Sequence, residues 1–242
     1  MTISEQQRLA VLYDWHNHRL LGDQTADGGF WLGVIELRSR VAVLGAGTGR
    51  VAMPLARAGA AVVAIDRDWH RLRRIEAGKM DVICADFSAM PLRDRFEHMV
   101  FPYSAMQLVE PGGVAAVLEG LAPLMSGDGR VWLDVSDRFE RRAGHEWREV
   151  LDDYCPELGC RVRELQRGMR GIDHFQIDTR YEVGGAAIAS ETDRWYFHPD
   201  AELRIAFDQA SLAVRSVAVS YSATSPRHRR IYELSRRCDQ KG

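Results

Sequence analysis

Three glycines, an arginine and two carboxylates, set at the ends of short apolar runs, are the residues of this chain best placed to hold a ligand. The segment Val41-Ala-Val-Leu-Gly45-Ala46-Gly47-Thr-Gly49-Arg50 ends an apolar run in glycines, and a second run, Ala61-Val-Val-Ala-Ile-Asp66, ends in an acid. Gly45 permits a tight turn, Gly47 lets the backbone come close to a bound group, and Gly49 packs tightly where a helix begins. Asp66 stands 21 positions beyond Gly45, where a carboxylate accepts hydrogen bonds from ribose hydroxyls. A third run, Asp81-Val-Ile-Cys-Ala85, places Asp86 20 positions beyond Asp66 and is followed by Phe87. A fourth, Met99-Val-Phe-Pro, leads into Tyr103-Ser-Ala-Met-Gln107-Leu108.

Two ligand classes suit a glycine turn followed by a ribose-binding acid. A nicotinamide or flavin dinucleotide sets its pyrophosphate on the helix N-terminus. S-adenosylmethionine sets its amino-acid part near the glycines and its ribose on the acid. The dinucleotide fingerprint asks for a small residue at position 50, and the chain has Arg50 there, reading G-x-G-x-G instead.

Such a loop needs strands and helices to position it. Val41–Leu44, Ala61–Ile65, Val82–Cys84, Met99–Phe101 and Val131–Val135 are short apolar runs, each followed by a segment of helical period. That alternation predicts a parallel sheet covered on both faces. In the first helix Val51, Leu55 and Ala58 share a face and Gly59 ends it. Pro54 is harmless there, because the first turn has no internal partner to lose. Beyond Val135 the pattern changes to tryptophan-bearing and charge-dense stretches (Trp147, Arg161–Arg170, Trp195). Strand-like runs also appear at Phe175–Val183 and Ala186–Thr192, joined by a Gly184-Gly185 hairpin signal. A helix over Pro199–Ala210 and strands at Ala213–Ser220 and Arg230–Ser235 follow. The expected fold is α/β: a doubly wound, Rossmann-like, seven-stranded, mostly parallel sheet with a β-rich insertion as substrate lid. Residues 1–136 form N-terminal helices and the cofactor-binding core, 137–198 the insertion, and 199–242 the last helix and strands of the core.

With these motifs in order, the chain resembles the class I S-adenosylmethionine-dependent methyltransferases, in particular the branch acting on small molecules and natural products. The resemblance rests on Gly45–Arg50, Asp66, Ala85-Asp86-Phe87, Tyr103–Leu108 and Val131-Trp-Leu-Asp134-Val, and covers most of residues 10–237. It implies that Gly45 and Gly47 line the methionine part of the cofactor and Asp66 takes its ribose, with Ala46, Gly49, Arg50 and Arg67 also among the cofactor-binding residues. Asp86 and Phe87 take the adenine. Tyr13, in Val11-Leu-Tyr-Asp14, stands where the family often has a tyrosine closing over the cofactor, and Tyr103 lies beside it. One departure is Val43, where the family usually carries an acid two residues before the first glycine.

The chain is long enough, at 242 residues, for a sizeable core, since chains of this size bury about 70% of their unfolded surface. Its basic residues, 30 Arg with Lys79 and Lys241, nearly balance 34 acids to give a net charge of −2. That balance and the lack of a basic stripe interleaved with aromatics argue against nucleic acid as partner. The Arg227–Arg230 and Arg236-Arg237 clusters are expected on a solvated strand edge. No run approaches the roughly 20 apolar residues of a membrane span, and no secretion signal is seen. Cys84, Cys155, Cys160 and Cys238 have no metal-ligand spacing, so free thiols in a reducing cytoplasm are expected. His16-Asn-His18 lacks a third ligand, His145-Glu146 lacks the second histidine of a zinc protease motif, and Asp134 with Asp137 shows no clear magnesium signature. No metal is expected.

The sequence is therefore read as a cytoplasmic methyltransferase that moves a methyl group from S-adenosylmethionine to N or O of a small-molecule metabolite or natural-product intermediate. Methyl transfer from a sulfonium is an in-line displacement that depends on alignment, worth about 7–11 kcal/mol in well-oriented reactions, and a nearby proton acceptor helps. Tyr103, Gln107, His145 and Tyr181 are the expected catalytic residues, with Glu146, His174 and Tyr196 as further candidates. Alternatives are an NAD(P)-dependent oxidoreductase and a non-catalytic protein that binds S-adenosylmethionine or S-adenosylhomocysteine. The partners expected are a small-molecule methyl acceptor, no nucleic acid and no membrane, with a homodimer left open.

Overall fold

Side chains alternate faces along a strand, so a sheet of continuously apolar strands is stable only with helices on both sides. The computed structural model describes residues 3–21, 26–76, 80–136, 144–222 and 229–237. In chain order its elements are α1 (Glu5–Leu21), α2 (Ala26–Val34), β1 (Arg40–Leu44), α3 (Ala52–Arg57), β2 (Ala61–Asp66), α4 (Trp69–Leu72), β3 (Asp81–Cys84), β4 (Phe96–Phe101), α5 (Val114–Leu121), β5 (Met125–Ser136), β6 (Gly144–Cys155), β7 (Cys160–Arg170), β8 (His174–Val183), β9 (Ala186–Tyr196), α6 (Asp200–Gln209), β10 (Leu212–Ala218) and β11 (Arg229–Arg236). They form two compact units, residues 25–137 with 198–242 and residues 1–24 with 138–197.

The larger unit holds a seven-stranded sheet in the order β10-β11-β5-β4-β1-β2-β3, with β11 antiparallel to both its neighbours and the other six strands running the same way. Val41 and Val43 face one way with Val62, Ala64, Val100 and Trp132, under Trp31, Ile35, Ala52 and Leu55. Ala42 and Leu44 face the other way with Val63, Ile65, Met99, Phe101 and Leu133, under α5 and α6. Each large side chain so buried contributes about 1.5–3 kcal/mol. The strand order reverses at β1, which has β2 on one side and β4 on the other, and a crevice opens outside the strand ends at such a reversal.

The smaller unit is an antiparallel meander, β6-β7-β8-β9. The Gly184-Gly185 pair turns β8 into β9 with φ of 58° and 83°. Leu12 and Trp15 of α1 pack on Cys155, Val162, Tyr181 and Ala189, so α1 belongs with this sheet. Residues 137–143, where the insertion was to begin, lie outside the described residues. The strands β6 and β7 were not anticipated. Their period of two is hidden because outward positions carry cross-strand ion pairs, Arg161–Asp152 and Arg163–Glu149 at 2.8 Å each, and inward positions include the fully buried Glu164. That carboxylate is held by His16 Nδ1 at 2.7 Å and by the Gln166 amide at 2.8 Å.

The arginine-rich end of the chain also differs from expectation. β11 lies between β10 and β5 rather than at an edge. Arg230 donates to the His198 carbonyl and Arg236 to the Met125 carbonyl, at 3.0 Å each. Arg227 lies outside the described residues. Among the described residues, no helix is long and apolar enough to cross a membrane.

Two consequences are measurable. Gly45 ends β1 with φ +76°, and a Cβ there would stand 2.7 Å from Ala105 Cβ. Gly45→Ala should therefore lose more than the 1–2 kcal/mol that left-handed backbone alone costs, about, read as a lower urea midpoint. His98, which accepts from Trp132 Nε1 at 3.2 Å, and His198, whose Nε2 donates to the Met106 carbonyl at 3.3 Å, are buried. Burial lowers both imidazoles below the ordinary 6.5. The unfolded chain then takes up protons that the native rings refuse, so stability is full above pH 6.5 and declines as pH falls through the lowered native values. Denaturant titrations at several pH values should show that decline, and it should be shallower in His198→Gln.

Candidate functional site

The chain leaves β1 through a loop fastened to the end of β2. Gly45 and Ala46 both donate to the Ile65 carbonyl at 2.9 Å, and Gly49 donates to the Ala46 carbonyl at 2.9 Å. The Gly47 amide donates to Asp66 Oδ2 at 2.7 Å, while Asp66 Oδ1 accepts from the Asp68 amide at 2.9 Å. Asp68 in turn caps α4 through the amides of His70 and Arg71. With φ of 76°, 55° and 92° at Gly45, Gly47 and Gly49, the loop is a cradle without side chains at its turning points.

The second acid stands on the neighbouring strand end, because the Ala85 amide donates to the Asp66 carbonyl at 3.0 Å. Asp86 Oδ1 accepts from the Ser88 hydroxyl at 2.6 Å and its amide at 2.8 Å. These bonds, with Arg67 nearby, hold the Asp86 carboxyl below its usual range. It is exposed and charged at neutral pH. Phe87 packs edge-on against Phe101 at 5.4 Å, and Arg67 is exposed, its carbonyl taking the Cys84 thiol. A loop with glycines at its turning points, beside two acids on adjacent strand ends, fits the amino-acid and nucleoside parts of S-adenosylmethionine.

At the end of β4 a second polar cluster surrounds Tyr103. Tyr103 and Ser104 have φ of 49° and 62°, left-handed backbone that costs non-glycine residues about 1–2 kcal/mol and persists only where the surroundings impose it. Here the surroundings are charged. The Tyr103 amide donates to Asp134 Oδ2 at 2.9 Å. Its phenol oxygen accepts from Arg50 Nε, and Arg50 also pairs with the buried Asp27, Nε to Oδ2 at 3.2 Å. The guanidinium groups of Arg50 and Arg229 lie over the Tyr103 ring at 5.4 and 5.9 Å, and Tyr221 meets it edge-on at 6.2 Å.

Asp134, fully buried near the end of β5, anchors this cluster. Arg229 Nη1 donates to both its oxygens, at 2.9 and 2.8 Å, and the Tyr221 hydroxyl donates to Oδ2. Burial works against the Arg229 cation, but Asp134 and Tyr221 outweigh it and hold the guanidinium above its usual range. Burial and the Asp134 charge push the Tyr221 phenol up, so it stays neutral.

The structure thus gathers Gly45, Ala46, Gly47, Gly49, Arg50, Asp66, Arg67, Asp86, Phe87, Tyr103 and Gln107 at the carboxyl ends of β1 to β4. Gln107 is buried, its amide straddling the Ser136 backbone: Nε2 donates to the carbonyl at 3.1 Å and Oε1 accepts from the amide at 2.8 Å. That pairing straps the turn after β4 to the end of β5. Tyr13, His145 and Tyr181 belong to the smaller unit. Tyr13 is half-buried on α1 and His145 is exposed on β6. Tyr181 is buried among Leu12, Trp15 and Val162, with its hydroxyl 3.4 Å from Glu191. Glu146 is exposed, and His174 Nδ1 meets Asp173 at 2.8 Å with its ring against Tyr196. Val43 is buried in the apolar layer under α2 and α3, and no group of three metal-ligating side chains occurs among the described residues.

Asp27, Tyr221 and Arg229 escaped the sequence reading. Asp27 sits in Ala-Asp-Gly-Gly, which announces only a loop, and Arg229 is one of several arginines in a run. Only Asp134 carried a signal, an acid at the end of an apolar strand.

Residues 41–129 match the protein family described as "Methyltransferase domain". No curated protein matches the chain by sequence. Among solved structures, an S-adenosylmethionine-dependent methyltransferase from Clostridium acetobutylicum superimposes with a TM-score of 0.78 at 13% identity, over 93% of this chain and 97% of that one. A sugar N-methyltransferase from a Streptoalloteichus species has a TM-score of 0.73 at 16% identity, over 93% and 92%. An amino pentose methyltransferase from Micromonospora echinaspora, solved with S-adenosylmethionine bound, has a TM-score of 0.66 at 17% identity, over 87% and 90%. Residues 41–129, which carry the glycine loop and both acids, thus match a methyltransferase domain, and the chain has the fold of these S-adenosylmethionine-dependent methyltransferases.

Proposed function

We propose that the chain methylates N or O of a small-molecule acceptor, an amino sugar or related natural-product intermediate, and that Tyr103 is the residue that meets the acceptor. The observation that carries this reading is the clamp on Tyr103 beside the glycine loop: a strained backbone bonded to Asp134 and a phenol bonded to Arg50. Strain of that kind concentrates at functional sites. The amino-sugar class is supported by the sugar N-methyltransferase and the amino pentose methyltransferase of the same fold.

The chemistry supplied by bound S-adenosylmethionine is an electrophilic methyl group on sulfur. The protein's share is alignment. Asp66 and Gly47, already bonded to each other, hold the ribose and methionine parts, and Asp86 with Phe87 holds the adenine, aided by Arg67. Arg50 fills one side of the Tyr103 oxygen and leaves the phenol to take a hydrogen bond from the acceptor's N–H or O–H. That contact turns the acceptor's lone pair toward the loop, which is the alignment an in-line displacement requires. Tyr181 is a core residue of the smaller unit, packed with Leu12, Trp15 and Val162.

Two outcomes test the assignment. Asp66→Asn should weaken S-adenosylhomocysteine binding tenfold or more, about what loss of hydrogen bonds to a charged group costs, measured by calorimetry. In a methylation assay over amino sugars, amines and phenols read by mass spectrometry, Tyr103→Phe should lose more than about tenfold in turnover, a barrier rise of roughly 1.4 kcal/mol, with S-adenosylhomocysteine affinity unchanged. Unchanged turnover removes Tyr103 from the acceptor site.

A further inference from the structure

Two cysteines outside the cofactor and acceptor residues are brought together by the fold in a way their spacing does not announce. Cys155 closes β6 and Cys160 opens β7, and the two are direct partners in the antiparallel register. Between them the chain turns through Pro156–Gly159, with the Gly159 amide donating to the Cys155 carbonyl at 3.0 Å. Residues directly opposite on antiparallel strands have Cα atoms about 4.5–5.5 Å apart, within the roughly 4.4–6.8 Å that a disulfide spans. Opposed residues leave the sheet on the same face, and both cysteines belong to the cluster formed with Leu12 and Trp15 of α1. Both are free thiols. The hairpin end is held under α1, since Trp15 Nε1 donates to the Tyr154 carbonyl at 3.1 Å and Arg19 to the same oxygen at 3.3 Å.

We propose that Cys155 and Cys160 are a reversible thiol–disulfide pair, an oxidative modification site of the smaller unit whose oxidant is a low-molecular-weight disulfide such as oxidised glutathione. Cys160 is half-buried and Cys155 buried, so Cys160 reacts first. Its thiolate attacks one sulfur of oxidised glutathione, a Cys160–glutathione disulfide forms, and one glutathione thiolate leaves. The Cys155 thiolate then attacks Cys160 Sγ, forms the internal disulfide and releases the second glutathione thiolate. Two cysteines are oxidised, one glutathione disulfide is reduced to two thiols, and the two cysteine protons end on those thiols. Burial pushes the Cys155 thiol up, with backbone hydrogen bonds at Leu158 and Glu157 acting the other way, which makes the second step the slower one. In a reducing compartment the pair rests as two thiols and closes under oxidative load, the usual pattern of cytosolic redox sensors.

Trypsin cuts after Arg148 and Arg161, so both cysteines fall in one peptide, Glu149–Arg161. The whole protein is incubated with excess oxidised glutathione, alkylated under denaturing, non-reducing conditions, digested and weighed. The expected peptide is two hydrogens lighter than the dithiol and carries no alkyl group. After dithiothreitol treatment it should carry two. A peptide alkylated at both cysteines, one that retains glutathione, or one cross-linked to the exposed Cys84 overturns the proposal. Cys160→Ser should abolish the lighter species, and its persistence in that variant would also overturn it.

Discussion

A carboxylate with no exposure to solvent holds the end of β5, and the arrangement around the glycine loop depends on it. Asp134 accepts from Arg229 on β11, from Tyr221 and from the Tyr103 amide, so one side chain joins three separate parts of the chain. Removing one member of a buried ion pair costs about 3–5 kcal/mol, because the partner charge stays behind unpaired. A hydrophobic pair is often as stable. Here the ion pair also imposes a backbone conformation on Tyr103 that an apolar contact has no direction to impose.

Asp66 does for the loop what Asp134 does for Tyr103. Its two oxygens are bonded to the Gly47 and Asp68 amides, so the acid shapes both the glycine turn and the start of α4. Val43 puts an apolar side chain into the layer under α2 and α3. Buried acid near the loop is instead contributed by Asp27 and Asp134, each paired with an arginine.

The larger unit was legible because its strands are uniformly apolar and its turns are glycines and acids, which carry strong local signals. β1 and β2 fall on Val41–Leu44 and Ala61–Ile65 with one residue added to each, while β4 and β5 contain Met99–Phe101 and Val131–Val135 but begin earlier, at Phe96 and Met125. β6 and β7 were not legible as strands, since Glu164 and Gln166 face inward and arginines pair with acids outward. The loop and its two acids could be read from spacing alone. The clamp on Tyr103 could not, because Asp27, Asp134, Tyr221 and Arg229 are distant in sequence and meet only through the sheet. Nor did the run at 229–237 show that Arg229, Arg230 and Arg236 are bonded within the fold from a strand flanked on both sides; charge alone suggested an edge.

The most direct test is a calorimetric and thermal-shift titration with S-adenosylhomocysteine beside NAD(H) and NADP(H). S-adenosylhomocysteine should bind and, at 100 times its dissociation constant, stabilise the fold by about 2.7 kcal/mol, while the nicotinamides leave it unchanged. Binding of a nicotinamide with no response to S-adenosylhomocysteine would contradict the account.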